Sequence, residues 1–483
     1  MGKKIGIVGA GVGGLATAAR LARKGHQVKV YEKLPKCGGR NNLLADGGFK
    51  FDMGPSFVMM PDFFEEVFSY CGEDIKKYLD LKIIDPSYKI FFSDGDSLTV
   101  YRDSQRTKQE LERIEPGSAK GFDAFIKETT RIYELVRPLL YGCFTKKDLL
   151  KPSLWPLVYK IRALESYWNL AKKFFKNEKI CYAFTFEAMF MGVSPFNAPA
   201  FYSVISYTDH VQKIAHAMGG MYQIPLALEK MAKKFGAIFQ YGAEVQQIKK
   251  TNNGIELKAG RSKETFENVV VNADFAYAQR DILQRMLPNY KYSCSVLLFY
   301  WGLKRKVSGL AHHNLFFSGD LKKNLDQIFV QKVVPEDPSF YIHVPTFTDG
   351  SLAPEGKDLF YVLIPVPNLN NAKEKAAEQE QRLKKIVIEK VNRLLGLNLE
   401  GLIELEHKFY PHNFLDQYNI KFGATFGLAH NLMQSAFFRP PNIDRKIKGL
   451  YYVGASTQPG GGLPVVIASS RIAADLIDDA IGS

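Results

Sequence analysis

Gly9-Ala10-Gly11-Val12-Gly13-Gly14 follows an apolar run over residues 5–8 and precedes a helical pattern over residues 15–22. The first, third and sixth positions of this stretch give the spacing G-x-G-x-x-G. The first glycine allows a tight turn, the second lets the backbone approach a pyrophosphate, and the third lets a helix pack closely on a strand. A strand-like run over residues 28–31 ends at Glu32, where a carboxylate can accept hydrogen bonds from a ribose. The combination predicts a dinucleotide-binding site rather than an ordinary turn between a strand and a helix.

The composition limits the classes of protein to which the chain can belong. With 483 residues it is long enough for two or three domains of about 150 residues each. Its 35 Phe and 24 Tyr are enough for a large aromatic interior or an apolar ligand cavity. The net charge of +14 favours attraction to nucleic acid or to an anionic membrane surface. Because no DNA- or RNA-binding motif accompanies the charge, no nucleic-acid partner is predicted.

The cysteines and the apolar segments favour a cytoplasmic protein that meets a membrane only at its surface. The five cysteines are scattered and form no C-x-x-C pair, which is typical of reduced thiols. No metal site is predicted. No signal peptide is visible, and no apolar stretch approaches the ~18 residues that cross a bilayer.

Two further glycine-containing stretches follow the first motif. Gly38-Gly39-Arg40 offers backbone groups and a guanidinium to the same phosphates, and residues 47–55 read as a turn, a strand and a loop. A nicotinamide dehydrogenase does not need these pieces, which resemble the two-part signature of FAD-containing amine-oxidase-like flavoproteins. The alternative is a pair of ordinary β-turns.

Similar sequence returns twice later in the chain. Gly219-Gly220-Met221 precedes a helical pattern, and strand patterns follow at 237–248 and 269–274. Residues 449–464 read as a strand and a glycine-rich loop, and a helix is predicted from about 465 to 477. The start of that helix can present its N-terminus to a polar group. We therefore expect the two ends of the chain to build one site together.

The middle of the chain contains the remaining elements and a basic segment. The pattern predicts helices over 62–82, 106–140 and 372–395, and strands of a second sheet over 293–303 and 359–366. The basic segment, residues 143–181, contains Trp155 and Trp168. An apolar stripe over 161–175 predicts one amphipathic helix there. A basic amphipathic helix with Trp is typical of a membrane interface, but a solvated helix packed on a core has the same pattern.

The chain resembles the phytoene-desaturase (CrtI-type) family of FAD-dependent carotenoid desaturases. The matching pieces are Gly9–Gly14 with Glu32, Gly38-Gly39-Arg40, Phe51-Asp52-Met53-Gly54-Pro55, Gly219-Gly220-Met221 and Gly454 to Pro464. The sequence departs from the family in one place and, in a second place, from the wider flavin oxidases, although carotenoid desaturases commonly tolerate that second difference. His216-Ala217-Met218 stands where many relatives have a proline before the glycine pair, and Ala455 stands where wider flavin oxidases often have an acidic residue. The second departure argues against an amine oxidase activity.

The resemblance implies an α/β fold, with a Rossmann-like FAD-binding domain and an inserted α+β substrate domain. The FAD-binding domain would combine residues 1–75, 215–290 and 415–483. A helical substrate and membrane-associated part would take residues 76–214, and a substrate-domain sheet would take residues 291–414. The residues implied for FAD binding are Gly9, Gly11, Gly13, Gly14, Glu32, Lys33, Gly39, Arg40, Gly54, Pro55, Val245, Gly454, Ala455, Gly461, Gly462 and Leu463.

The resemblance also implies an activity, the introduction of C=C bonds into a long carotenoid by hydride transfer to the flavin. The substrate would be acyclic or hydroxylated, because residues 54–62 and 458–463 look closer to the 1-hydroxycarotenoid 3,4-desaturase branch. The implied partners are a carotenoid, a membrane surface bound peripherally, and a quinone or oxygen as electron acceptor. The alternatives are a phytoene desaturase, a carotenoid isomerase or polyene saturase, and a non-enzymatic prenyl-lipid carrier resembling the GDP-dissociation inhibitors. No catalytic base is identified, since Glu187, Asp209 and His210 are each more often structural.

Overall fold

The structure of the chain is a computed structural model that describes residues 2–145, 147–148, 151–370 and 372–482. Lys146, which belongs to the basic segment, lies outside the described residues. The strands are β1 (Lys4–Val8), β2 (Gln27–Tyr31), β3 (Leu43–Asp46), β4 (Phe49–Asp52), β5 (Leu81–Ile83), β6 (Tyr88–Phe91), β7 (Ser97–Val100), β8 (Ala215–Ala217), β9 (Ile238–Gln240), β10 (Val245–Thr251), β11 (Gly254–Ala259), β12 (Ser262–Phe266), β13 (Asn268–Val271), β14 (Ser295–Leu303), β15 (His313–Phe316), β16 (Phe340–His343), β17 (Asp358–Val366), β18 (Ile403–Phe409) and β19 (Leu450–Tyr452). The α-helices are α1 (Val12–Arg23), α2 (Pro61–Tyr70), α3 (Ser104–Ile114), α4 (Ser118–Val136), α5 (Trp155–Lys160), α6 (Tyr167–Ala171), α7 (Glu178–Ala183), α8 (Val204–Tyr207), α9 (Gln223–Lys234), α10 (Phe275–Tyr277), α11 (Leu321–Asp326), α12 (Glu380–Leu395), α13 (Leu399–Leu402), α14 (Pro411–Tyr418) and α15 (Leu463–Gly482).

A parallel sheet with the order β19-β13-β1-β2-β9 collects strands from distant parts of the sequence. Because the strands are parallel, their carboxyl ends meet at one edge of the sheet. The glycine turn follows β1, Glu32 follows β2, Asn272 follows β13 and the second glycine-rich loop follows β19. The topology thus brings to one edge segments that are more than 400 residues apart in sequence, and the predicted α/β class is confirmed.

The helices α1, α9 and α15 pack around this sheet, and nearly the whole of α1 is buried. Small side chains make this possible, since Ala16, Ala18 and Ala19 have no exposed surface. Arg20 is also buried on α1, where it forms an ion pair with Glu66 and donates to Ser470 on α15. The buried α1 therefore fixes the glycine turn at its N-terminus.

A second, mostly antiparallel sheet has the order β18-β14-β17-β16-β15-β6-β7. Its central strands correspond to the runs predicted over 293–303 and 359–366, which are confirmed as β14 and β17. Both faces of β14 are buried, because every residue from Ser295 to Leu303 is inaccessible. One face packs on a cluster formed with the helices over residues 118–205, and the other packs on α12.

Three predicted helices are shorter than the sequence pattern suggested. The helix over 62–82 is wrong beyond α2, because Gly72, with a φ of +75°, turns the chain toward β5. The helix over 106–140 is divided into α3 and α4 at Gly117, with a φ of +87°. The charged helix over 372–395 begins only at Glu380.

The single amphipathic helix predicted over residues 161–175 is also wrong. The short helices α5 and α6 are separated by a turn in which Arg162 has a φ of +54°. Trp168 on α6 is buried, whereas Trp155 on α5 is 66% exposed. The two tryptophans therefore do not share a surface. Within the described residues, no helix combines the length and the apolar character that a membrane span requires.

Candidate functional site

A cavity of about 500 Å³ runs from the carboxyl edge of the parallel sheet to the second sheet. The predicted FAD-binding residues that line it are Gly9, Gly11, Gly13, Glu32, Lys33, Gly39, Arg40, Gly54, Pro55, Val245, Gly454, Ala455, Gly461, Gly462 and Leu463. Gly14 does not line it. The fold therefore gathers fifteen of the sixteen predicted residues around one space.

The glycine turn packs against the side chain of Asn272. A Cβ atom at Gly11 would lie 2.9 Å from Asn272 Nδ2, and one at Gly13 would lie 2.6 Å from its Oδ1. Asn272 Nδ2 donates to the Gly9 carbonyl oxygen at 3.3 Å. A Cβ atom at Gly14 would overlap that carbonyl oxygen, so Gly14 serves the close approach of helix and turn rather than the cavity itself.

The Glu32 carboxylate is held by two backbone N–H groups. Ala10 N–H donates to Oε2 at 2.7 Å, and Leu34 N–H donates to Oε1 at 2.9 Å. Burial raises the pKa of Glu32, and these hydrogen bonds oppose the rise. Since each carboxylate oxygen has a second lone pair, Glu32 retains acceptor capacity for a ribose hydroxyl.

Arg40 brings a cationic group to the cavity beside Asp274. Its Nη1 donates to the Thr425 carbonyl oxygen at 2.8 Å. Burial lowers the pKa of Arg40, and the charge of Asp274 acts against this change. Burial raises the pKa of Asp274, which accepts a hydrogen bond from Ser456 Oγ at 3.1 Å. The remaining guanidinium N–H groups of Arg40 suit a phosphate oxygen.

The loop after β19 is held by two buried side chains that lie outside it. Arg439 donates from Nη2 to the Ala455 carbonyl oxygen at 2.5 Å and from Nε to the Thr457 carbonyl oxygen at 3.1 Å. Gly461 N–H donates to His430 Nε2 at 3.0 Å. Since Nε2 is an acceptor and the imidazole is neutral, the ring proton resides on Nδ1, 3.0 Å from the Met191 carbonyl oxygen. Burial lowers the pKa of His430 well below its ordinary value and so keeps the ring neutral.

The other predicted residues close the same edge of the cavity. Lys33 Nζ donates to Asn419 Oδ1 at 2.9 Å, and burial lowers the pKa of this amine. A Cβ atom at Gly54 would overlap the Arg40 carbonyl oxygen, so only glycine permits that contact. Val245 begins β10 and presents an apolar surface to the cavity.

The half of the cavity toward the second sheet is apolar and aromatic. Among its lining residues are Phe186, Met189, Phe190 and Met191. Its other apolar lining residues include Met53, Phe57, Met59, Ile205, Leu315, Phe317, Leu321, Leu325, Tyr361 and Leu363. This half suits a long hydrocarbon ligand better than a charged one.

The donor set fits a dinucleotide with a pyrophosphate. Both α1 and α15 begin at the cavity, and the first N–H groups of a helix have no partner within that helix. The glycine turn excludes side chains from the approach, Arg40 supplies positive charge, and Glu32 supplies acceptors. The residues present therefore match the charge and the hydrogen-bonding groups of such a cofactor.

Sequence reasoning missed Asn272, Asp274 and His430. A signal existed for the first two, because they follow a buried strand whose carboxyl end must lie at the site edge. His430 lies in an irregular segment that carries no motif, so nothing in the sequence marked it.

Glu187, Asp209 and His210 are buried beside the cavity wall and are not among its lining residues. Glu187 Oε2 accepts hydrogen bonds from Tyr167 at 2.7 Å and from Ser206 at 2.6 Å. Burial raises the pKa of Asp209 to about 7 and that of Glu187 well above its ordinary value. The structure therefore gives these residues no direct contact with the space in which a ligand would react.

Comparisons with known proteins agree with this arrangement. The sequence profile of the flavin containing amine oxidoreductase family matches residues 12–478. A zeta-carotene-forming phytoene desaturase of Myxococcus xanthus is 40% identical over 484 residues, which cover 98% of this chain and 93% of that protein. A 4,4'-diapophytoene desaturase (4,4'-diaponeurosporene-forming) of Staphylococcus haemolyticus is 36% identical and is covered over 98% of both chains.

Solved structures show the same fold at low sequence identity. An oxidoreductase from Methanosarcina mazei has a TM-score of 0.62 at 17% identity, with 98% of this chain and 100% of that chain covered. Cyclohexylamine oxidase from Brevibacterium oxydans has a TM-score of 0.64 at 13% identity, with both chains fully covered. These likenesses support the architecture alone.

Proposed function

Because the chain belongs to the flavin-containing amine oxidoreductase family and, within it, to the phytoene-desaturase (CrtI-type) carotenoid desaturases, we propose that this FAD-dependent oxidoreductase desaturates a long acyclic carotenoid. The observation that carries the proposal is one continuous cavity with two different halves. Dinucleotide-binding elements line one half, and apolar and aromatic side chains line the other.

The residues that would hold FAD are those at the carboxyl edge of the parallel sheet. Glu32 would accept from the ribose, while the N-terminus of α1 and Arg40 would face the pyrophosphate. The start of α15, with Gly461 and Leu463, would face the flavin ring. When bound, FAD supplies a two-electron acceptor for hydride.

The chain's own contribution is to place and isolate the reacting bond. The aliphatic C–H bonds of a carotenoid are hardly acidic, so no side chain alone can begin the reaction. The apolar half of the cavity would exclude water and hold the polyene in a fixed orientation. His430 is not a free base, because Nε2 accepts from Gly461 N–H and Nδ1–H faces the Met191 carbonyl. We assign it to positioning the loop after β19.

The hydroxylated-carotenoid branch is the second candidate, since polar side chains also line the apolar half. These are Ser56, Asn324 and Ser339. Ser56 already accepts from Tyr341 at 2.9 Å, and Asn324 already donates to the Asp337 carbonyl at 3.1 Å. The Ser56 hydroxyl and the Asn324 carboxamide retain hydrogen-bonding capacity beyond these contacts. The rates on unsubstituted and 1-hydroxylated carotenoids therefore decide between the two branches.

The decisive experiment supplies flavin-loaded protein with carotenoid in liposomes and a quinone as electron acceptor, with oxygen tested in its place. Phytoene, 4,4'-diapophytoene and a 1-hydroxycarotenoid are compared in parallel. Each added double bond lengthens the conjugated system, so the absorbance should shift to the red. A product of unchanged conjugation would favour a carotenoid isomerase, and a shift to the blue would favour a saturase. Substrate recovered unchanged under all conditions would favour a lipid carrier and contradict the proposal.

We also propose that the protein collects its substrate from a membrane through the α5 surface. This surface comprises the exposed side chains of Lys151, Trp155, Tyr159, Lys160 and Leu164. Trp155 and Tyr159 stand one turn apart on the same face of α5. Aromatic side chains beside lysines suit the headgroup region of an anionic bilayer.

Phe144, which precedes α5 in sequence, contacts the loop after β19. Phe144 N–H donates to Gln458 Oε1 at 2.7 Å, and Gln458 Nε2 donates to the Phe144 carbonyl oxygen at 2.9 Å. Gln458 belongs to the loop after β19, part of which lines the cavity. These hydrogen bonds join a residue eleven positions before α5 to the loop that borders the cavity.

A further inference from the structure

A cluster of buried histidines lies away from the cavity, where β8 approaches the second sheet. His216 is the central residue of β8, His312 directly precedes β15, and His343 ends β16. At most 1% of any of these three side chains is exposed. One ring nitrogen from each lies within 4.8 Å of the other two. None of the three lines the cavity described above.

Hydrogen bonds within the protein do not account for this cluster. His312 Nε2 lies 2.9 Å from His343 Nε2, and His312 Nδ1 lies 2.7 Å from Thr348 Oγ1. In the described part of the chain, however, neither ring nitrogen of His216 has a hydrogen-bond partner. Its Nε2 lies 3.5 Å from Asp349 Oδ2. This contact is at the outer limit of a hydrogen bond, and a fully buried imidazole with so weak a partner is costly.

The chemistry of the donor set indicates what would offset this cost. His312 Nε2 faces His343 Nε2 at 2.9 Å, so one of these two nitrogens has a lone pair directed at the other. A group of three imidazoles suits a transition-metal ion, whereas Ca²⁺ and Mg²⁺ prefer oxygen ligands.

We propose that His216, His312 and His343 bind one divalent transition-metal ion, and that the Asp349 carboxylate, which lies 3.5 Å from His216 Nε2 but outside the group of three, moves in as a fourth ligand. Zn²⁺, which prefers tetrahedral coordination, is the expected ion. Binding would replace the contact between His312 and His343. Their Nε2 atoms would separate from 2.9 Å to about 3.3 Å, the edge of a tetrahedron with bonds of about 2.0–2.1 Å. The contacts of His216 with the other two rings, which fall within 4.8 Å, would close to the same length. The Thr348 hydroxyl would accept from His312 Nδ1–H and fix the ring orientation, as outer hydrogen bonds do at metal sites.

The ion would be structural, and it would support one wall of the cavity. Next to His312 in sequence, His313 stacks on Phe57 with ring centroids 3.9 Å apart, and its Nδ1 lies 2.6 Å from Tyr341 Oη. Both Phe57 and Tyr341 line the cavity. The sequence predicted no metal site, because the ligands are spread from 216 to 349 and form no short motif.

The test uses the full chain with its flavin bound and any affinity tag removed. The protein is dialysed against Zn²⁺ and then against metal-free buffer, and bound metal is measured by mass spectrometry. We expect one equivalent of Zn²⁺ per chain, X-ray absorption showing imidazole ligands, and a thermal unfolding temperature that a chelator lowers and added Zn²⁺ restores. The flavin spectrum provides an independent record that the protein remains folded.

The matched variants are His216→Ala and His407→Ala. His407 is partly exposed and pairs with Asp46 at 2.8 Å, far from the cluster in the sheet, so its loss should leave the metal content unchanged. His216→Ala should lower the bound Zn²⁺ at least tenfold. Failure of the unaltered protein to retain Zn²⁺ would overturn the proposal whether or not the variants fold. Equal retention by a folded His216→Ala variant would overturn it as well.

Discussion

At the scale of single residues, the two glycines Gly11 and Gly14 should have separable roles. Gly11 lines the cavity, so Gly11→Val should leave a folded protein that does not bind FAD. Gly14 packs on the Gly9 carbonyl, so Gly14→Ala should destabilise the fold by about 1–3 kcal/mol, the range for overpacked sites. Flavin absorbance after gel filtration and thermal unfolding measure the two effects. Gly350→Ala, where a Cβ atom meets nothing within 4 Å, is the control.

His430 provides a second prediction at this scale. His430→Ala would leave the buried N–H of Gly461 and the Met191 carbonyl without their partner, at a cost of about 1–3 kcal/mol for each group. Because the loop after β19 would be held less firmly, part of this cost should reduce the free energy of FAD binding. We therefore expect the Kd for FAD to rise at least tenfold. His412→Ala, at an exposed site on α14, should bind FAD like the parent. An unchanged Kd in His430→Ala would show that the loop after β19 keeps its shape without this contact.

At the scale of elements, the turn of π-helix over residues 208–212 carries a buried acid whose titration should be measurable. Burial raises the pKa of Asp209 to about 7, above the unfolded value of about 3.9. The folded state therefore favours the neutral side chain. This stabilisation is complete below pH 4 and is lost as the pH rises toward 7. The loss is on the order of 4 kcal/mol. Burial lowers the pKa of His210 to about 3. Its effect on stability is therefore opposite: stability increases with pH, and the increase ends near pH 6.5.

The measurement is the unfolding free energy of the parent and of Asp209→Asn from pH 5 to pH 8. The parent should lose more stability than the variant over this interval, because the variant has no charge to bury. The groups facing Asp209 include Glu187, Tyr88 and Lys213. Because Asp209 itself helps to raise the pKa of Glu187, the difference between the two profiles reports the titration of the coupled pair. The exposed Asp123→Asn should behave as the parent does. Parallel pH profiles for parent and Asp209→Asn would contradict the buried titration.

The elements also show why some of the fold could be predicted and some could not. Segments around the glycine turn, β2 and α15 were placed correctly, because local backbone requirements and burial act there in the same direction. The interrupted helices could not be foreseen from apolar spacing, since the breaks depend on single positions such as Arg162 and Gly117 with positive φ. The histidine cluster was invisible to sequence patterns, because the pairing of β15 with β16 and the approach of β8 from outside the second sheet bring its members together.

At the scale of the whole molecule, membrane binding through the α5 surface is open to direct test. Trp155 and Tyr159 are 66% and 86% exposed, so the folded protein gains nothing from their apolar surface in water. Inserting both into a bilayer interface would contribute about 2–4 kcal/mol, given about 1.5–3 kcal/mol for each fully buried side chain. Trp155→Ser with Tyr159→Ser should therefore weaken binding to anionic liposomes at least tenfold. The matched control is Met286→Ser with Val330→Ser, which removes two exposed apolar side chains elsewhere.

The exposed lysines that follow α6 give the membrane proposal a separate test. Lys172, Lys173 and Lys176 are exposed, and each lysine near an anionic surface contributes about 1 kcal/mol. Changing all three to Glu should weaken liposome binding by several kcal/mol, and added salt should reproduce the effect in the parent by screening. The flavin spectrum should not change, because these residues do not line the cavity. Activity on carotenoid in liposomes should fall in proportion to binding, while activity on detergent-dispersed carotenoid should persist. If both sets of variants float with liposomes as the parent does, the substrate must enter the cavity from another face of the molecule.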